Sequence, residues 1–418
     1  MKRAFRVKLH PNNVQQTKMF EMADAARYAY NYTVERQMEK EKNREYFLKN
    51  ETIRKDFTQL KKLEKNKWLN KISCEVTKQA IKDCCKAFER YVEIQAETKI
   101  PYTKKKLIWL KKKGKKPTDY DKNAHPKFRT KHNSKIHFYQ DPVKIKFTST
   151  HVKLEKITES SKKNRQKLNW IRLAERNRIP VNAHYENPRI TFDGESWWIS
   201  VVCEVKIEPM LQEKTTGIGC DLGITRLVTY SDGTISKNIN KGNKIKNLEK
   251  KKKRIQRKIS RKYEMNKKDE NYIKTKNIKK YENKKLHFEH KLTNIRNSYI
   301  HQETNQIIGK NPKFICLENL NISGMMSNKH LAKYIQEQKW YEFRRQIIYK
   351  AEMYKITVIL ADRFYASSKL CCKCENKKYN LKLKDRIYEC ECGNIIDRDY
   401  QAAINLYNYG LTKFHNFY

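Results

Sequence analysis

The first ten residues alternate between apolar and polar side chains. Phe5, Val7 and Leu9 are apolar, and the alternation stops before Pro11, which is the two-residue period of a half-buried strand. We therefore predict a strand over residues 3–10.

The spacing of the apolar residues then changes twice within the first half of the chain. From residue 14 to about residue 91 the apolar positions recur at helical spacing, which predicts a helical subdomain over residues 14–98. Between residues 136 and 208 runs typical of strands return, and Asp193-Gly194 is a tight-turn signal between two of them. Together with the first strand, these runs predict a small β-barrel that a helical segment interrupts.

The second half alternates strands with helices, which predicts an α/β layer and makes the whole chain an α+β multidomain protein. The stretch at residues 241–310 is helical and rich in lysine. The predicted elements are a hairpin over 216–230, that helical stretch, a strand over 313–318, a helix over 340–354, a strand over 357–361, a cysteine cluster, and a last helix from Asp399.

Charge narrows the class of partner. The 418 residues include 93 Lys and Arg against 46 Asp and Glu, a formal net charge of +47, which calls for a polyanion. Full-length disorder is the alternative, but 25 Tyr, 15 Phe and 6 Trp with only 9 Pro argue against it.

No apolar run reaches the roughly 18–20 residues of a membrane span, and the start does not resemble a signal peptide. We expect a cytoplasmic protein with no membrane partner, which fits the odd count of 11 cysteines.

Lysines and arginines between residues 101 and 135 are interleaved with aromatic side chains. This pattern is typical of an arm that binds nucleic acid, and a solvated loop is the alternative. The candidate contacts are Lys111, Lys112, Lys113, Lys115, Lys116, Lys127, Arg129 and Lys131.

Three carboxylates stand at the ends of predicted elements. Asp221 follows a short apolar run, Glu318 closes a predicted strand, and Asp399 opens the last helix. If they converge at one sheet edge, their oxygens could hold two Mg²⁺ ions about 4 Å apart, the arrangement that hydrolyses phosphodiesters. Each acid taken singly is also an ordinary strand-end or helix-start residue.

Four cysteines form a more specific signal. Cys371 and Cys374 make a C-x-x-C pair, and Cys390 and Cys392 a C-x-C pair, so four thiolates could close a structural, tetrahedral Zn²⁺ site. Free cytosolic thiols are the alternative. Cys372 is expected to be a bystander, since four ligands already fill the site.

These motifs together resemble the TnpB family, the transposon-encoded RNA-guided nucleases related to type V CRISPR effectors. The resemblance covers almost the whole chain, through its successive RuvC and zinc-finger motifs. On this match Asp221, Glu318 and Asp399 correspond to the catalytic acids, and Asp397 ranks second to Asp399 because the family's ligand precedes x-x-Ala-Ala. The matching segments are 217–224, 314–320, 367–374 and 390–406.

The resemblance implies a domain plan and a set of partners. Residues 1–13 and 119–208 would form a wedge-like barrel, 14–118 a helical recognition insertion with the basic arm, 209–366 and 393–418 an RNase H-like RuvC domain, and 367–392 a zinc finger. The partners would be a guide RNA, target double-stranded DNA and its displaced single strand. Lys78 and Gln79 are candidates for reading a short target-adjacent motif.

Rival functions stay open at this point. A compact type V CRISPR effector would share the fold and the chemistry. A guide-dependent DNA-binding repressor would lack cleavage, and a transposase would join DNA strands through three similar acids. The sequence indicates neither the guide RNA nor the oligomeric state.

Overall fold

The computed structural model divides the chain into two compact units, residues 1–205 and 206–418. It describes residues 1–97, 125–131, 134–157, 169–207, 210, 213–268, 271–382 and 385–416. The lysines of the basic arm between residues 111 and 116 lie outside the described residues.

The first unit places three long helices between its first and second strands. Its elements are β1 (Lys2–His10), α1 (Asn13–Lys42), α2 (Asn50–Leu60), a 3₁₀ helix (Glu64–Lys71), α3 (Cys74–Glu97), β2 (Ile136–Tyr139), β3 (Lys146–Phe147), β4 (His151–Lys153), β5 (Trp170–Leu173), β6 (Tyr185–Phe192) and β7 (Trp197–Glu204).

The seven strands of this unit form one antiparallel sheet in the order β2-β6-β7-β1-β5-β4-β3. The strand predicted from the first ten residues is β1, which pairs with β7 and β5 and buries Phe5, Val7 and Leu9. The turn at Asp193 joins β6 to β7, as its sequence predicts. The hydrogen bonds define a sheet, and its closure into a barrel stays a prediction.

Helix α1 begins at a capping box. The side chain of Asn12 accepts a hydrogen bond from the backbone N–H of Gln15, and the Gln15 side chain accepts one from the Asn12 backbone. The helix buries small residues such as Ala25 and Ala29, and it packs against α3 and β2. The helical segment predicted over residues 14–98 is therefore present, divided into α1, α2, the 3₁₀ helix and α3.

The second unit is a mixed sheet between helices. Its elements are β8 (Ile218–Leu222), β9 (Arg226–Tyr230), β10 (Ile235–Lys237), a 3₁₀ turn (Ile239–Lys241), α4 (Asn243–Met265), β11 (Lys267–Lys268), β12 (Asn271–Tyr272), α5 (Lys276–Gly309), β13 (Phe314–Leu317), α6 (Ile322–Met325), α7 (Lys329–Gln338), α8 (Trp340–Met353), β14 (Thr357–Leu360), β15 (Ile387–Glu389), β16 (Ile395–Asp397) and α9 (Arg398–His415).

Five of these strands form a sheet in the order β10-β9-β8-β13-β14. The pairs β10–β9 and β9–β8 are antiparallel, whereas β8–β13 and β13–β14 are parallel. One face of the sheet packs on α5 and α8 through residues such as Ile315 and Phe343. The opposite face packs on α9 through residues such as Phe314, Cys316 and Leu406.

The lysine-rich stretch predicted as one helical region is an antiparallel helical hairpin. The short strands β11 and β12 separate α4 from α5, and the hydroxyl of Tyr263 donates to Glu282 across the two helices at 2.8 Å. Leu248 and Leu292 meet in the apolar seam between them.

The structure thus has the mixed helix and sheet content that the sequence predicts. Across the described residues, every helix is too short or too polar to cross a membrane.

Candidate nuclease and metal sites

Asp221 and Glu318 lie side by side on neighbouring parallel strands. Leu317 of β13 is in register with Cys220 of β8, so the next residue of each chain segment, Glu318 and Asp221, stand level at the carboxyl ends of the strands. Parallel neighbours are about 4.8 Å apart, and residues in register point to the same face. Two acids that are 97 positions apart in sequence therefore share one sheet edge.

Asp399 reaches the same face from α9. A Cβ on Gly219 would lie 2.1 Å from the backbone oxygen of Ala403, so the helix backbone rests directly on β8 at this glycine. Asp221 is two residues beyond Gly219 on the same face of the strand, and Asp399 is one helical turn before Ala403. The first turn of α9 therefore lies beside the two strand-end acids.

The three acids interact electrostatically. Burial raises the pKa of Asp221 well above its ordinary value, and the charges of Glu318 and Asp399 raise it further. Burial also raises the pKa of Glu318, against the lowering effect of a hydrogen bond from Ser367, and the charge of Asp399 adds to the rise. This cluster of half-buried acids is costly unless a cation neutralises it.

The carboxylate oxygens of the three acids do not all lie within 4.8 Å of one another in this structure. Among the described residues, the four cysteines are the only group of at least three potential ligands whose donor atoms all lie within 4.8 Å of one another. Two ions about 4 Å apart can bridge a wider set of carboxylates. The carboxylate oxygens of Asp221, Glu318 and Asp399 are ligands of the kind that Mg²⁺ prefers.

Asp397 has a different role from Asp399. Its carboxylate caps α9 by accepting hydrogen bonds from the backbone N–H groups of Asp399 and Tyr400, and it pairs with Arg226 at 3.1 Å. Asp397 thus caps the helix and forms an ion pair in this structure, and its ranking behind Asp399 as a ligand stays a prediction.

Cationic and hydroxyl side chains that the sequence reasoning missed surround the acids. The guanidinium of Arg386 lies 3.8 Å from Asp399, and that of Arg398 lies 3.9 Å from it. The buried hydroxyl of Ser367 donates to Glu318 Oε1 at 2.6 Å. Ser367 belongs to a motif that the resemblance includes, but no spacing rule links a serine to an acid 49 positions earlier.

The four predicted cysteines meet in one cluster. Cys371 Sγ lies 3.6 Å from Cys392 Sγ, and Cys374 Sγ lies 3.5 Å from Cys390 Sγ. A tetrahedral Zn²⁺ with Zn–S bonds of about 2.3 Å separates its sulfurs by about 3.8 Å, so the geometry fits this metal. Cys372 is outside the group.

The local backbone structure explains how a C-x-C pair can supply two thiolates to one metal site. Strands β15 and β16 form a hairpin, and the backbone N–H of Gly393 donates to the Cys390 carbonyl across its turn. Gly393 has φ +80°, a conformation that favours glycine. The turn brings Cys390 and Cys392 to the same side, where they face the first pair.

The structure places the predicted nucleic-acid contacts of the first unit in varied settings. Lys78 contacts Glu75 at 2.6 Å, and Gln79 donates to Asp83 at 2.7 Å. Arg129 stacks 3.4 Å from the ring centre of Tyr30, Lys131 contacts Asp24 at 3.1 Å, and Lys127 is exposed.

A basic groove runs along α4 and was not singled out residue by residue from the sequence. Its exposed cations sit at helical spacing, and Phe288 of α5 forms part of its floor. We define the basic groove by Lys251, Arg254, Arg257, Lys258, Arg261 and Lys284.

Three family models match separate parts of the chain. A model described as a probable transposase, OrfB of IS605, matches residues 200–329. The helix-turn-helix domain of the same OrfB group matches residues 1–45, which form β1 and α1. A Cas12f1-like TNB domain matches residues 340–406, the region that holds the cysteine cluster and Asp399.

Curated relatives match along nearly the whole chain. A protein of Streptomyces pristinaespiralis described as a putative RNA-guided DNA endonuclease is 25% identical over 99% of this chain and 90% of its own length. The putative RNA-guided DNA endonuclease InsQ of Escherichia coli (strain K12) is 24% identical over 93% of this chain and 87% of its own. A solved complex of Cas12f1 with sgRNA and target DNA has 13% identity and a TM-score of 0.49, covering 98% of this chain and 99% of that one.

The OrfB models, the Cas12f1-like domain and the full-length relatives agree with the family indicated by the sequence motifs. The chain is thus similar, over nearly its whole length, to proteins described as RNA-guided DNA endonucleases, and its separate domains are similar to those of the OrfB group and of Cas12f1-like proteins.

Proposed function

We propose that the protein is an RNA-guided DNA endonuclease that cuts double-stranded DNA at a single site built from Asp221, Glu318 and Asp399. The observation that carries this proposal is the strand register that sets Glu318 level with Asp221, with the first turn of α9 beside them. The names of the full-length relatives support the same activity.

The sheet order of the second unit supports an RNase H-like RuvC domain. Three antiparallel strands followed by two parallel ones, with helices on both faces, support this assignment. We propose residues 209–366 and 393–418 as this domain and 367–392 as its zinc finger. In the first unit we propose 1–13 and 119–208 as the wedge and 14–118 as the recognition insertion.

We propose that the acid site holds two Mg²⁺ ions and that the four cysteines hold a structural Zn²⁺. When bound, Mg²⁺ supplies Lewis-acid chemistry that lowers the pKa of water and stabilises charge on the leaving oxygen of a phosphodiester. Asp221, Glu318 and Asp399 bind and space the ions. The guanidinium of Arg386, which is 55% exposed beside Asp399, is placed to contact a backbone phosphate.

We propose that a guide RNA selects the target and that the protein holds the heteroduplex and the displaced strand through their backbones. The net charge of +47 and the basic groove support a polyanionic partner. Lys78 and Gln79 stay proposals for reading the target-adjacent motif, and the other basic residues of the arm stay proposals for backbone contact.

Cleavage of matched DNA tests the activity. The protein is co-expressed with the non-coding RNA encoded beside its gene and supplied with matched duplex DNA and Mg²⁺. We expect both strands to be cut, Asp221→Ala to abolish cutting, and Asp232→Ala, in a turn beyond β9, to retain it. Cutting by Asp221→Ala would contradict the assigned site.

The match to a Cas12f1-like TNB domain favours a second candidate, a compact CRISPR effector. It would use the same site, so cleavage does not separate the two. Sequencing the RNA that copurifies does, because a repeat-derived RNA indicates a CRISPR effector and a transposon-end RNA indicates a transposon nuclease.

A further inference from the structure

Two adjacent serines lie just before the first cysteine of the cluster, and they differ in environment. Ser367 is only 3% exposed, and its hydroxyl donates to Glu318 Oε1 at 2.6 Å. Ser368 is half-buried. The hydrogen bond engages one oxygen of the Glu318 carboxylate and leaves Oε2 for another partner.

The backbone of Ser367 is itself held by α9. Asn405, which is 4% exposed, donates through Nδ2 to the carbonyl of Ser367 at 2.7 Å and to that of Leu370 at 2.8 Å. Asn405 is on the same helix as Asp399. One helix therefore carries one acid of the site and fixes the segment that orients another.

The cysteine cluster holds the other end of this segment. The backbone N–H groups of Lys369 and Leu370 both donate to the Ala366 carbonyl, which makes one tight turn from Ala366 to Leu370, directly before Cys371. Asn394 Nδ2 donates to Gln401 of α9 at 3.1 Å and contacts Cys371 Sγ at 3.5 Å. Ser367 is thus fixed from both sides, and its hydroxyl has little freedom to move away from Glu318.

We propose that Ser367 is a positioning residue that orients the Glu318 carboxylate for divalent-metal binding. This inference rests on the proposed function only for the role of Glu318 as a metal ligand. A glutamate has three rotatable bonds, and a fixed donor on Oε1 selects the rotamer that presents Oε2 to the face shared with Asp221. Removing such a supporting hydrogen bond typically weakens metal binding by about 10- to 100-fold.

Direct binding of Mn²⁺ to the full-length protein, measured from the electron paramagnetic resonance of the free ion, tests the proposal without relying on cleavage. We expect Ser367→Ala to weaken binding by about 10-fold or more. We expect Ser368→Ala to bind as the wild type does. Zinc content, measured in parallel, is expected to stay at the wild-type value in both variants.

A second pair of variants separates the hydroxyl from the shape of the side chain. Threonine and valine at position 367 are nearly the same size, so any strain in the buried site is common to both, and only Ser367→Thr keeps the hydroxyl. We expect Ser367→Thr to bind Mn²⁺ more tightly than Ser367→Val. Equal binding by the pair, or wild-type binding by Ser367→Ala, would overturn the proposal.

Glu318→Ala distinguishes this failure from failure of the proposed function. If Glu318→Ala loses Mn²⁺ binding while Ser367→Ala keeps it, the metal site stands and the role of Ser367 is wrong. If Glu318→Ala also binds as the wild type does, the carboxylate site itself is wrong.

Discussion

The carboxylate of Asp221 is surrounded by charge of its own sign. Glu318 is level with it on the next strand. Asp399 in the first turn of α9 and Asp397, which caps that helix, add further negative charge, against Arg398. Without a bound cation, ionising Asp221 in the folded protein costs more than ionising it in the unfolded chain. The arrangement therefore lowers the stability of the folded protein unless a cation neutralises the acids.

Asp221→Asn should raise the melting temperature in metal-free buffer at neutral pH while abolishing cleavage. Because the folded-state pKa lies above the ordinary value of 3.8, the folded protein binds more protons than the unfolded chain, so wild-type stability falls as pH rises above that value. The variant lacks this loss. Thermal unfolding in chelator at a series of pH values measures the difference, which should grow with pH.

Asp232→Asn is the control, because the pKa of Asp232 is shifted in the opposite direction from that of Asp221. Partial burial opposes the ionisation of Asp232, but hydrogen bonds from Lys310 and Thr234 outweigh it and lower its pKa. Ionised Asp232 therefore stabilises the fold above its unfolded pKa, and this stabilisation is lost as pH falls through the folded value. Asp232→Asn should not raise the melting temperature at neutral pH. An equal rise in both variants would refute the charge argument.

Some residues beside the three acids cannot be predicted from the sequence. The three acids could be proposed from the sequence because each stands at the end of a recognisable element. Ser367 and Arg386 could not be assigned to the site, because their contacts with Glu318 and Asp399 depend on how the segment between them folds. That folding is a tertiary property, with no period or spacing in the chain.

At the scale of elements, the close packing of α9 against β8 sets the position of Asp399. A Cβ on Gly219 would lie 2.1 Å from the Ala403 oxygen and 2.5 Å from the Tyr407 nitrogen, and both are backbone atoms that cannot rotate away. Gly410 makes a similar approach to Phe314 and Cys316 of β13. Two glycines thus permit one close helix-on-sheet contact.

Gly219→Ala should destabilise the protein by about 1–3 kcal/mol or more, because α9 must move away from the sheet. Cleavage should fall in the population that remains folded, since Asp399 moves with the helix. Denaturant unfolding and cleavage at a temperature where the variant is folded measure the two effects.

Gly309→Ala is the matched control for this substitution. Gly309 ends α5, and a Cβ there would meet no atom within 4 Å. We expect unchanged or slightly increased stability and wild-type cleavage. If Gly219→Ala behaved in the same way, the described contact with α9 would be wrong.

The cysteine hairpin makes a prediction of its own. Cys374→Ser should abolish zinc binding at the proposed site and destabilise the segment around it, since three thiolates leave a tetrahedral site incomplete. Cys372→Ser should keep the zinc, because its sulfur is outside the cluster. Elemental analysis of the purified proteins measures the metal content. Zinc loss from Cys372→Ser alone would reverse the ligand assignment.

The sequence predicts most elements of both units but not every boundary. The alternation in β1 and the spacing in α8 are strong because each element buries one face against a core. The break between α4 and α5 carries little signal because residues 266–275 are mostly polar, like much of the two helices, and contain neither proline nor glycine. The turn there depends on contacts between the two helices, such as that of Tyr263 with Glu282.

For the whole molecule, charge sets how partners are bound. The basic groove places six cations along α4 and α5, and each nucleic-acid phosphate that they neutralised would release counterions. The triple variant Lys251→Gln, Arg254→Gln and Lys258→Gln should weaken nucleic-acid binding and flatten its salt dependence. The expected change in the log–log slope is about 0.9 for each duplex phosphate that is no longer neutralised, or about 0.7 on a single strand. Binding measured across a salt series gives the slope.

A control of equal charge comes from lysines that already contact glutamates. Lys2, Lys18 and Lys40 lie 2.6, 2.8 and 2.5 Å from carboxylate oxygens. Replacing these three by glutamine changes the net charge by the same amount. We expect a smaller change in slope, and an equal change would mean that only total charge matters.

The sequence establishes the general plan of the whole molecule more firmly than its inner boundaries. The division at residue 205 lies close to the predicted change near residue 208. The limits of the wedge, the recognition insertion and the zinc finger stay predictions, because they depend on segments that leave and re-enter the same fold.

The hairpin of α4 and α5 leaves the sheet after β10 and returns to it at β13. Both ends of the hairpin adjoin strands of the sheet, and its two helices run antiparallel. Adding the same number of whole turns to each helix would therefore lengthen the hairpin. The strands that lead to Asp221 and Glu318 would stay where they are. Homologues and engineered versions could therefore vary the reach of this hairpin independently of the chemistry at its base.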